Sequence, residues 1–215
     1  MQTRFRAFIE QLAQTPAPEN SVNPFDYNDP NNAIRRNNLL LYLQQMQAKR
    51  PTVMLVAEAP GYRGMRLTGV PFSSRALIQE GIPEVGLYGE AHGYRITEEG
   101  DNKAWREQTA TIVWNTLKDL RPIPVNWNSY PFHPHLPGKP LSNRKPRKPE
   151  LEIGKPFLLD MMDMFGIQTV VAVGNTAEET LNTMGIPCQK VRHPAQSGKN
   201  DFVRGITEIL KNLQS

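Results

Sequence analysis

The sequence predicts an α/β fold, a three-layer α/β/α sandwich with a central, mostly parallel four-stranded sheet. Two features lead to this prediction. Short, nearly continuous apolar runs are typical of parallel strands covered on both faces, and helices of about 10–18 residues alternate with them. A chain of 215 residues suits one domain. We therefore expect a single domain over residues 1–215, with residues 1–50 forming a helical and irregular extension packed on it.

The four predicted strands are apolar runs bounded by turn residues. They cover residues 52–57, 124–130, 169–173 and 188–192. The first and third runs are almost purely aliphatic, which is typical of the centre of a parallel sheet. Gly174 turns the chain after the third strand, and the fourth run is shorter and more polar.

The predicted helices follow from apolar residues spaced three or four apart, so that they share one face. One lies near the N-terminus and one follows Pro149; the others cover residues 33–48, 102–120, 177–184 and 201–213. The remaining segments contain helix-breaking residues: 15–32 is irregular, 58–69 is a loop, and 131–149 is a long proline-rich loop with several Lys and Arg. Three of these helices have clear inward faces. In the N-terminal helix we expect Phe5, Phe8, Ile9 and Leu12 to face inward; in the helix over 102–120, Trp105, Thr109, Ile112, Val113 and Leu117; and in the helix after Pro149, Phe157, Leu158, Met161, Met162 and Phe165.

Composition narrows the class of protein. Lys and Arg number 25 against 21 Asp and Glu, a formal net charge of +4, and a small basic excess fits a polyanionic partner without requiring one. The single cysteine, Cys188, excludes an internal disulfide and a cysteine-based metal or iron–sulfur site. No run reaches the about 18 apolar residues of a membrane helix. Glu10 interrupts any signal-peptide core, so we expect a cytoplasmic protein that does not associate with a membrane.

Three polar side chains follow the predicted strands at their carboxyl ends, where open α/β sheets bind ligands. Glu58 follows the first strand, Asn128 lies late in the second, and His193 follows the fourth. Asn126 is an alternative to Asn128. Each residue also has an ordinary interpretation, since a lone glutamate or histidine is more often a surface group, and an asparagine at a strand end is often a turn former.

Other conspicuous residues have similar structural interpretations. Phe72, after a proline, is more often a core residue than a stacking surface. His133 and His135 have no acid or cysteine near them in the sequence, so we predict solvated side chains rather than a metal site. The Lys and Arg residues of 131–149 are typical of a solvated face.

The order of these motifs resembles that of the uracil-DNA glycosylase superfamily. Glu58-Ala-Pro-Gly61 and the following Gly69-Val-Pro-Phe72 resemble its first signature, and His193-Pro194-Ala195 resembles its second. Between them, residues 171–181 are similar to the strand, glycine and helix of the family, and Asn143-Arg-Lys-Pro146 is similar to an Asn-Arg-x-Pro element. The resemblance covers about residue 51 to the C-terminus.

The resemblance implies a monofunctional DNA glycosylase of base excision repair that hydrolyses uracil, or a related deaminated base, from DNA. It implies that His193 donates to the O2 side of the base and that Asn128 pairs with its edge. Phe72 would stack on it, and the backbone of Ala59, Pro60 and Gly61 would hold the sugar and water. Glu58 is the acid available to activate water. No cofactor and no metal are implied.

Several positions depart from the family pattern. The branch with Glu-Ala-Pro-Gly usually carries four cysteines for an iron–sulfur cluster, which this chain lacks. The best-known branch has an aspartate where Ala59 stands and a tyrosine where Gly61 stands. The loop 195–199 has no apolar residue to wedge into a duplex, so we expect a weak preference for duplex over single strands. Arg144, Lys145, Arg192 and Lys199 are expected to contact phosphates.

Two other functions remain open at this stage. One is a nucleic-acid or base-binding protein of the same fold with weak or lost catalysis, which Ala59 favours, while Glu58 and His193 favour the enzyme. The other is an unrelated nucleotide-binding α/β protein, but Pro60 removes a backbone N–H and Glu58 repels phosphate, so 58–61 is a poor phosphate loop. We expect the chain to act as a monomer.

Overall fold

A computed structural model describes residues 1–99 and 105–213, and its centre is a four-stranded parallel sheet. The strands are β2 (Val53–Ala57), β3 (Val125–Asn128), β5 (Thr169–Val173) and β6 (Gln189–Val191), in the spatial order β3-β2-β5-β6. All neighbours are parallel. Each predicted strand is therefore confirmed, and each carboxyl end lies at the same edge of the sheet.

Helices flank this sheet, as the predicted sandwich requires. They are α1 (Gln2–Gln14), α2 (Asn31–Lys49), α3 (Met65–Thr68), α4 (Arg75–Glu80), α5 (Gln108–Leu117), α6 (Lys148–Phe165), α7 (Asn175–Thr183) and α8 (Lys199–Asn212). The inward residues predicted for α1, which are Phe5, Phe8, Ile9 and Leu12, are all buried. Phe8 packs on Trp127 of β3 with ring centroids 5.4 Å apart and meets Phe157 of α6 edge-on at 5.8 Å. The N-terminal segment thus contributes to the main hydrophobic core.

Some elements differ from the sequence-based prediction. Helix α5 begins at Gln108 rather than residue 102; residues 102–104 lie outside the described residues. Its start is fixed by Glu107, whose carboxylate accepts hydrogen bonds from the backbone N–H groups of Thr109 and Ala110. Trp114 of α5 is buried, whereas Trp105, predicted to face inward, is only partly buried.

A second, two-stranded sheet was not predicted. Strand β1 (Ser21–Val22) pairs antiparallel with β4 (His133–Pro134). Each strand has only two residues, too short for an alternating pattern to appear in the sequence. This pairing joins the segment before α2 to the proline-rich loop between β3 and α6. Within residues 1–99 and 105–213, no helix is both long and apolar enough to cross a membrane.

Candidate functional site

A cavity of about 600 Å³ lies at the carboxyl edge of the sheet. It is bordered by the segments that follow β2, β3, β5 and β6, together with the start of α5. Most of the residues predicted for the site line it. They are Glu58, Ala59, Pro60, Gly61, Phe72, Asn128, Arg144, Arg192 and His193. The parallel sheet explains this convergence, because chain segments far apart in sequence leave its strands at one edge.

Glu58 enters the cavity directly after β2. Its position is fixed by continued pairing of the two strands: the Ser129 N–H donates to the Ala57 carbonyl at 2.8 Å, and the Tyr130 N–H donates to the Glu58 carbonyl at 3.1 Å. The side chain is half-buried, and Oε1 has no hydrogen-bond partner among residues 1–99 and 105–213. Burial raises the pKa of Glu58 above its usual value, and the nearby Lys145 opposes this. The carboxylate is therefore poised to accept a proton.

His193 lies opposite, in the turn after β6. The Ala195 N–H donates to its Nδ1 at 3.2 Å, so Nδ1 carries the lone pair and the proton of the neutral ring is on Nε2. Burial lowers the pKa of His193, and Arg192 acts in the same direction while Glu107 opposes it. The ring thus offers a neutral N–H donor at pH 7.

Close packing holds the His193 turn in place. A Cβ on Gly198 would lie 2.0 Å from the His193 carbonyl oxygen, and a Cβ on Gly174, which has φ +90°, would lie 3.1 Å from the His193 Cβ. Gly198 has no room for a side chain, and a side chain at Gly174 would crowd His193 and strain the backbone. The turn after β5 and the first residue before α8 therefore confine His193 from both sides.

The structure distinguishes the two candidate asparagines. Asn128 lines the cavity, and one of its Nδ2 protons is used on the Sδ of Met65 at 2.9 Å. One N–H and the Oδ1 acceptor remain for a bound molecule. Asn126 does not line the cavity, is fully buried, and its side-chain amide contacts no hydrogen-bonding group in the described part of the chain.

Phe72 forms one wall of the cavity in an unusual backbone conformation. Its φ is +48°, a left-handed region that costs a bulky residue on the order of 1–3 kcal/mol. The indole Nε1 of the buried Trp114 donates to the Phe72 carbonyl at 2.8 Å and helps to hold this conformation. The aromatic ring is only partly buried, so one part of it is available to a ligand. The sequence motif indicated Phe72, but nothing in it indicated Trp114.

Arg144 differs from its predicted role as a phosphate contact. Its guanidinium forms two bonds to the buried carboxylate of Glu150, at 2.5 and 2.7 Å. It also donates to the carbonyls of His135, Lys145 and Asn20 at 2.8–3.0 Å. These contacts use all five N–H donors of the side chain. Arg144 is therefore a structural residue of the proline-rich loop, with no donor left for a phosphate.

The other predicted basic residues remain exposed. Arg192 lines the cavity, whereas Lys145 and Lys199 do not. Lys145 is close enough to Glu58 to lower its pKa, which puts the ammonium group near the cavity mouth. Lys199 begins α8, just after the His193 turn. Of these three cations, Arg192 lines the cavity, Lys145 acts on Glu58, and Lys199 follows the His193 turn in the sequence.

The prediction that His133 is solvated is wrong. Its side chain is fully buried, with Nδ1 2.8 Å from the Pro60 carbonyl and Nε2 3.2 Å from the Pro140 carbonyl. Burial lowers the pKa of His133 below its usual value. The local sequence, rich in proline and lysine, suggested an exposed loop; the partner residue Pro60 is 73 positions away.

Glu107 is a cavity residue that sequence reasoning missed. It lines the cavity near Gly64, caps α5, and raises the pKa of His193 through its charge. No motif marks it, because a glutamate before a helix is common. Within the described ranges 1–99 and 105–213, no group of three His, Cys, Asp or Glu side chains could hold a metal ion.

The arrangement combines four chemical capacities around one volume: a carboxylate that can take a proton, a neutral imidazole N–H, an amide with a donor and an acceptor, and an aromatic wall. Such a set suits hydrolysis in which a planar leaving group departs with negative charge. Donors fixed before the reaction stabilise that charge as it develops.

Comparison with known proteins agrees with this description. The model of the uracil DNA glycosylase superfamily matches residues 44–213. The crystal structure of wild-type SMUG2 from Pedobacter heparinus is similar over 99% of this chain and 97% of that chain, with a TM-score of 0.65 and 13% sequence identity. At this identity the likeness shows a shared fold. No curated protein matches the sequence.

Proposed function

The chain belongs to the uracil DNA glycosylase superfamily, and from this premise we propose that it is a monofunctional DNA glycosylase. Its reaction is hydrolysis of the N-glycosidic bond of uracil, or of a related deaminated base, in DNA. The observation that carries the proposal is that Glu58, Asn128, His193 and Phe72 all line the same cavity. An enzyme of this kind extrudes the base from the strand before it acts on it.

Recognition of the base would use the aromatic ring of Phe72 and the side-chain amide of Asn128. Stacking on Phe72 contributes about 1–3 kcal/mol and is available to any planar base. Asn128 retains one N–H and one acceptor, which match the O4 and N3–H groups on one edge of uracil. The 600 Å³ cavity is large for a single pyrimidine, and Gly61 adds no bulk, so we infer that related deaminated bases also enter.

Departure of the base would depend on His193. As the bond from C1′ to N1 breaks, the sugar becomes cation-like and the base acquires negative charge. The Nε2–H of a neutral imidazole stabilises that charge at O2 without transferring a full proton. The lowered pKa of His193 supports this assignment, because it keeps the ring neutral.

Water attack would depend on Glu58. A water molecule adds to C1′, and its proton passes to the carboxylate, whose raised pKa makes it a better acceptor than an exposed glutamate. Ala59 contributes no acid, so Glu58 is the carboxylate of the first signature that can act. The exposed Lys145, Arg192 and Lys199 would hold the flanking phosphates.

A second candidate function is base or nucleic-acid binding without effective catalysis. Ala59 favours it, because the best-known branch of the family has an acidic residue in that place. The Glu58 side chain favours the enzyme, because Glu58 lines the cavity and its buried Oε1 has no hydrogen-bond partner in the described part of the chain; a buried carboxylate oxygen without a partner costs stability that a purely binding site does not require.

The deciding experiment is cleavage of uracil-containing oligonucleotides, single- and double-stranded, followed by alkali and gel separation. We expect cleavage by the wild-type protein, and losses of about 100-fold or more both in Glu58→Gln, which removes a general base, and in His193→Ala, which removes a charge-stabilising donor. Asn126→Ala is a matched control, because its side chain does not reach the cavity.

Binding measured on the same oligonucleotides distinguishes the two candidates. Tight binding of uracil-containing strands without cleavage of uracil or any other deaminated base would establish the binding function and exclude the glycosylase. Cleavage that persists unchanged in Glu58→Gln would leave the glycosylase and remove Glu58 from its mechanism.

A further inference from the structure

Two side chains of the proline-rich loop hold the backbone on either side of Gly61. His133 lies 2.8 Å from the Pro60 carbonyl through Nδ1, and Asn143 accepts a hydrogen bond from the Tyr62 N–H through Oδ1 at 3.1 Å. A Cβ on Gly61 would lie 3.9 Å from the Asn143 side chain, so the two segments are in contact. Gly61 lines the cavity, and the residues on both sides of it in the chain are thus held by hydrogen bonds.

The His133 contact is a directed bond. Both ring nitrogens face carbonyl oxygens, which only accept hydrogen bonds, while a neutral imidazole has one N–H. The Pro60 contact at 2.8 Å is the shorter, and it has the length of a good N–H···O bond. The ring is fully buried, with Arg66 and His135 as the charged or titratable side chains that influence its titration, and burial keeps it neutral. We therefore place the single N–H on Nδ1, donated to Pro60.

Fixing the Pro60 carbonyl also fixes the Gly61 N–H. The peptide unit is planar and trans, so its N–H points opposite to its C=O. The C=O faces His133, which is buried and does not line the cavity, so the N–H is directed to the other side of the peptide. That N–H bonds no acceptor in residues 1–99 or 105–213. A donor at the cavity wall without an internal partner is available to a bound molecule.

Hydrogen bonds hold the loop that carries His133 and Asn143 in place at both ends. Arg144 satisfies all five donors on Glu150 and on three carbonyls. At the other end, His133 itself belongs to β4, which pairs with β1. Such support matters, because a hydrogen-bond donor stabilises a transition state best when it is already in position and does not have to reorganise during the reaction.

We propose that the proline-rich loop is a positioning device for the reaction, in which His133 and Asn143 orient the Gly61 N–H as a hydrogen-bond donor to the departing base. This inference rests on the proposed function. His133 and Asn143 are positioning residues that act through the backbone of Gly61. The Asn143-Arg-Lys-Pro146 motif then has a physical meaning: its asparagine holds Tyr62 and its arginine holds the loop.

Two substitutions of the same residue test the proposal. In His133→Asn the side-chain amide occupies the place of Nδ1 and keeps the donor to Pro60; in His133→Gln it occupies the place of Nε2 and keeps only the contact to Pro140. We expect His133→Gln to lower the single-turnover cleavage rate about 100-fold, as a displaced catalytic group does, with little change in oligonucleotide affinity. His133→Asn should restore a rate near that of the wild type.

Substitutions of Asn143 and Leu141 complete the set. Asn143→Ala removes one exposed hydrogen bond and should lower the rate about tenfold, the value of one ordinary bond. Leu141→Ala is the matched control on the same loop, since the Leu141 side chain is 64% exposed and does not line the cavity. Thermal unfolding of every variant monitors folding, and equal rate losses in His133→Asn and His133→Gln that follow their losses in stability would overturn the proposal.

A measurement without turnover separates this inference from the proposed function. The Gly61 and Tyr62 amide resonances of the ¹⁵N-labelled protein are recorded with and without free uracil. We expect uracil to shift the Gly61 amide in the wild type and in His133→Asn, but not in His133→Gln. An unaffected Gly61 amide in a wild type that cleaves DNA would refute the positioning role alone; a shifted amide without any cleavage would refute the glycosylase alone.

Discussion

Glu58 and His193 have pKa values shifted in opposite directions for one reason: burial disfavours the charged form of each group. The carboxylate becomes more basic and the imidazole less so. Their ordinary values of 4.5 and 6.5 therefore move towards each other. At pH 7 the mechanism has the forms it needs, an ionised Glu58 that can take a proton and a neutral His193 that can donate a hydrogen bond.

This arrangement predicts the pH dependence of the cleavage rate. Both required forms are the deprotonated ones, so the rate should be constant near pH 7 and fall as the pH decreases. The acid limb should lie above pH 4.5, because burial raises the pKa of Glu58 from that value and a rate that needs both deprotonated groups follows the higher of the two pKa values. Single-turnover rates from pH 4.5 to 8 measure it. A rate that increases toward pH 4.5 would contradict the assignment of Glu58 as base.

The proline-rich loop between β3 and α6 is the element whose structure differs most from what its composition suggests. Its lysines and prolines suggested a solvated segment, yet its ends are fixed by the buried His133 and by the Arg144–Glu150 pair, whose side chains are 11% and 2% exposed. Glu150 also accepts from the Arg147 N–H at 2.6 Å and so closes the start of α6. One carboxylate therefore links the loop to the helix.

Breaking this pair should destabilise the whole fold. Arg144→Ala leaves Glu150 buried without its partner, and we expect the free energy of unfolding to fall by about 3–5 kcal/mol. Urea denaturation measures the change. The exposed neighbour Lys145→Ala is the control and should stay within about 0.5 kcal/mol of the wild type. A loss for Arg144→Ala no greater than that of Lys145→Ala would show that the loop is not held as described.

Three exposed cations belong to the segments that border the cavity or to their neighbours in sequence. The net charge is only +4, but Arg192 lines the cavity, Lys145 acts on Glu58, and Lys199 begins the helix after the His193 turn. Arg144 does not belong to this group, because its donors are all used. Arg4 pairs with Asp163 near the end of α6, just before β5 begins and hence at the opposite edge of the sheet.

Salt dependence of DNA binding tests that arrangement. For a single strand the slope of log K against log salt decreases in magnitude by about 0.7 for each phosphate contact removed. We expect this change for Lys145→Ala, Arg192→Ala and Lys199→Ala, measured by fluorescence anisotropy on a single-stranded oligonucleotide. Arg4→Ala serves as the comparison and should leave the slope unaltered. Unchanged slopes in all three variants would remove these cations from the interface.

The sequence by itself determined the parallel sheet, the order of its strands along the chain, and the residues that meet at its carboxyl edge. These depend on local patterns, since apolar runs of four to six residues and helical spacing are visible in any short window. The motif order identified Glu58, Phe72, Asn128 and His193 without a structure. It favoured Asn128 and left Asn126 as an alternative, because both lie on the same strand.

Only the tertiary structure decided which polar side chains are buried and which groups they bond to. It turned His133 inward to Pro60, used every donor of Arg144 on Glu150 and nearby carbonyls, and placed Trp114 against Phe72. Each contact joins groups whose environment is set by distant parts of the chain, with separations of 73 residues for His133 and 42 for Trp114. The burial and hydrogen bonding of a polar side chain depend on what packs over it, and a local pattern does not contain that information.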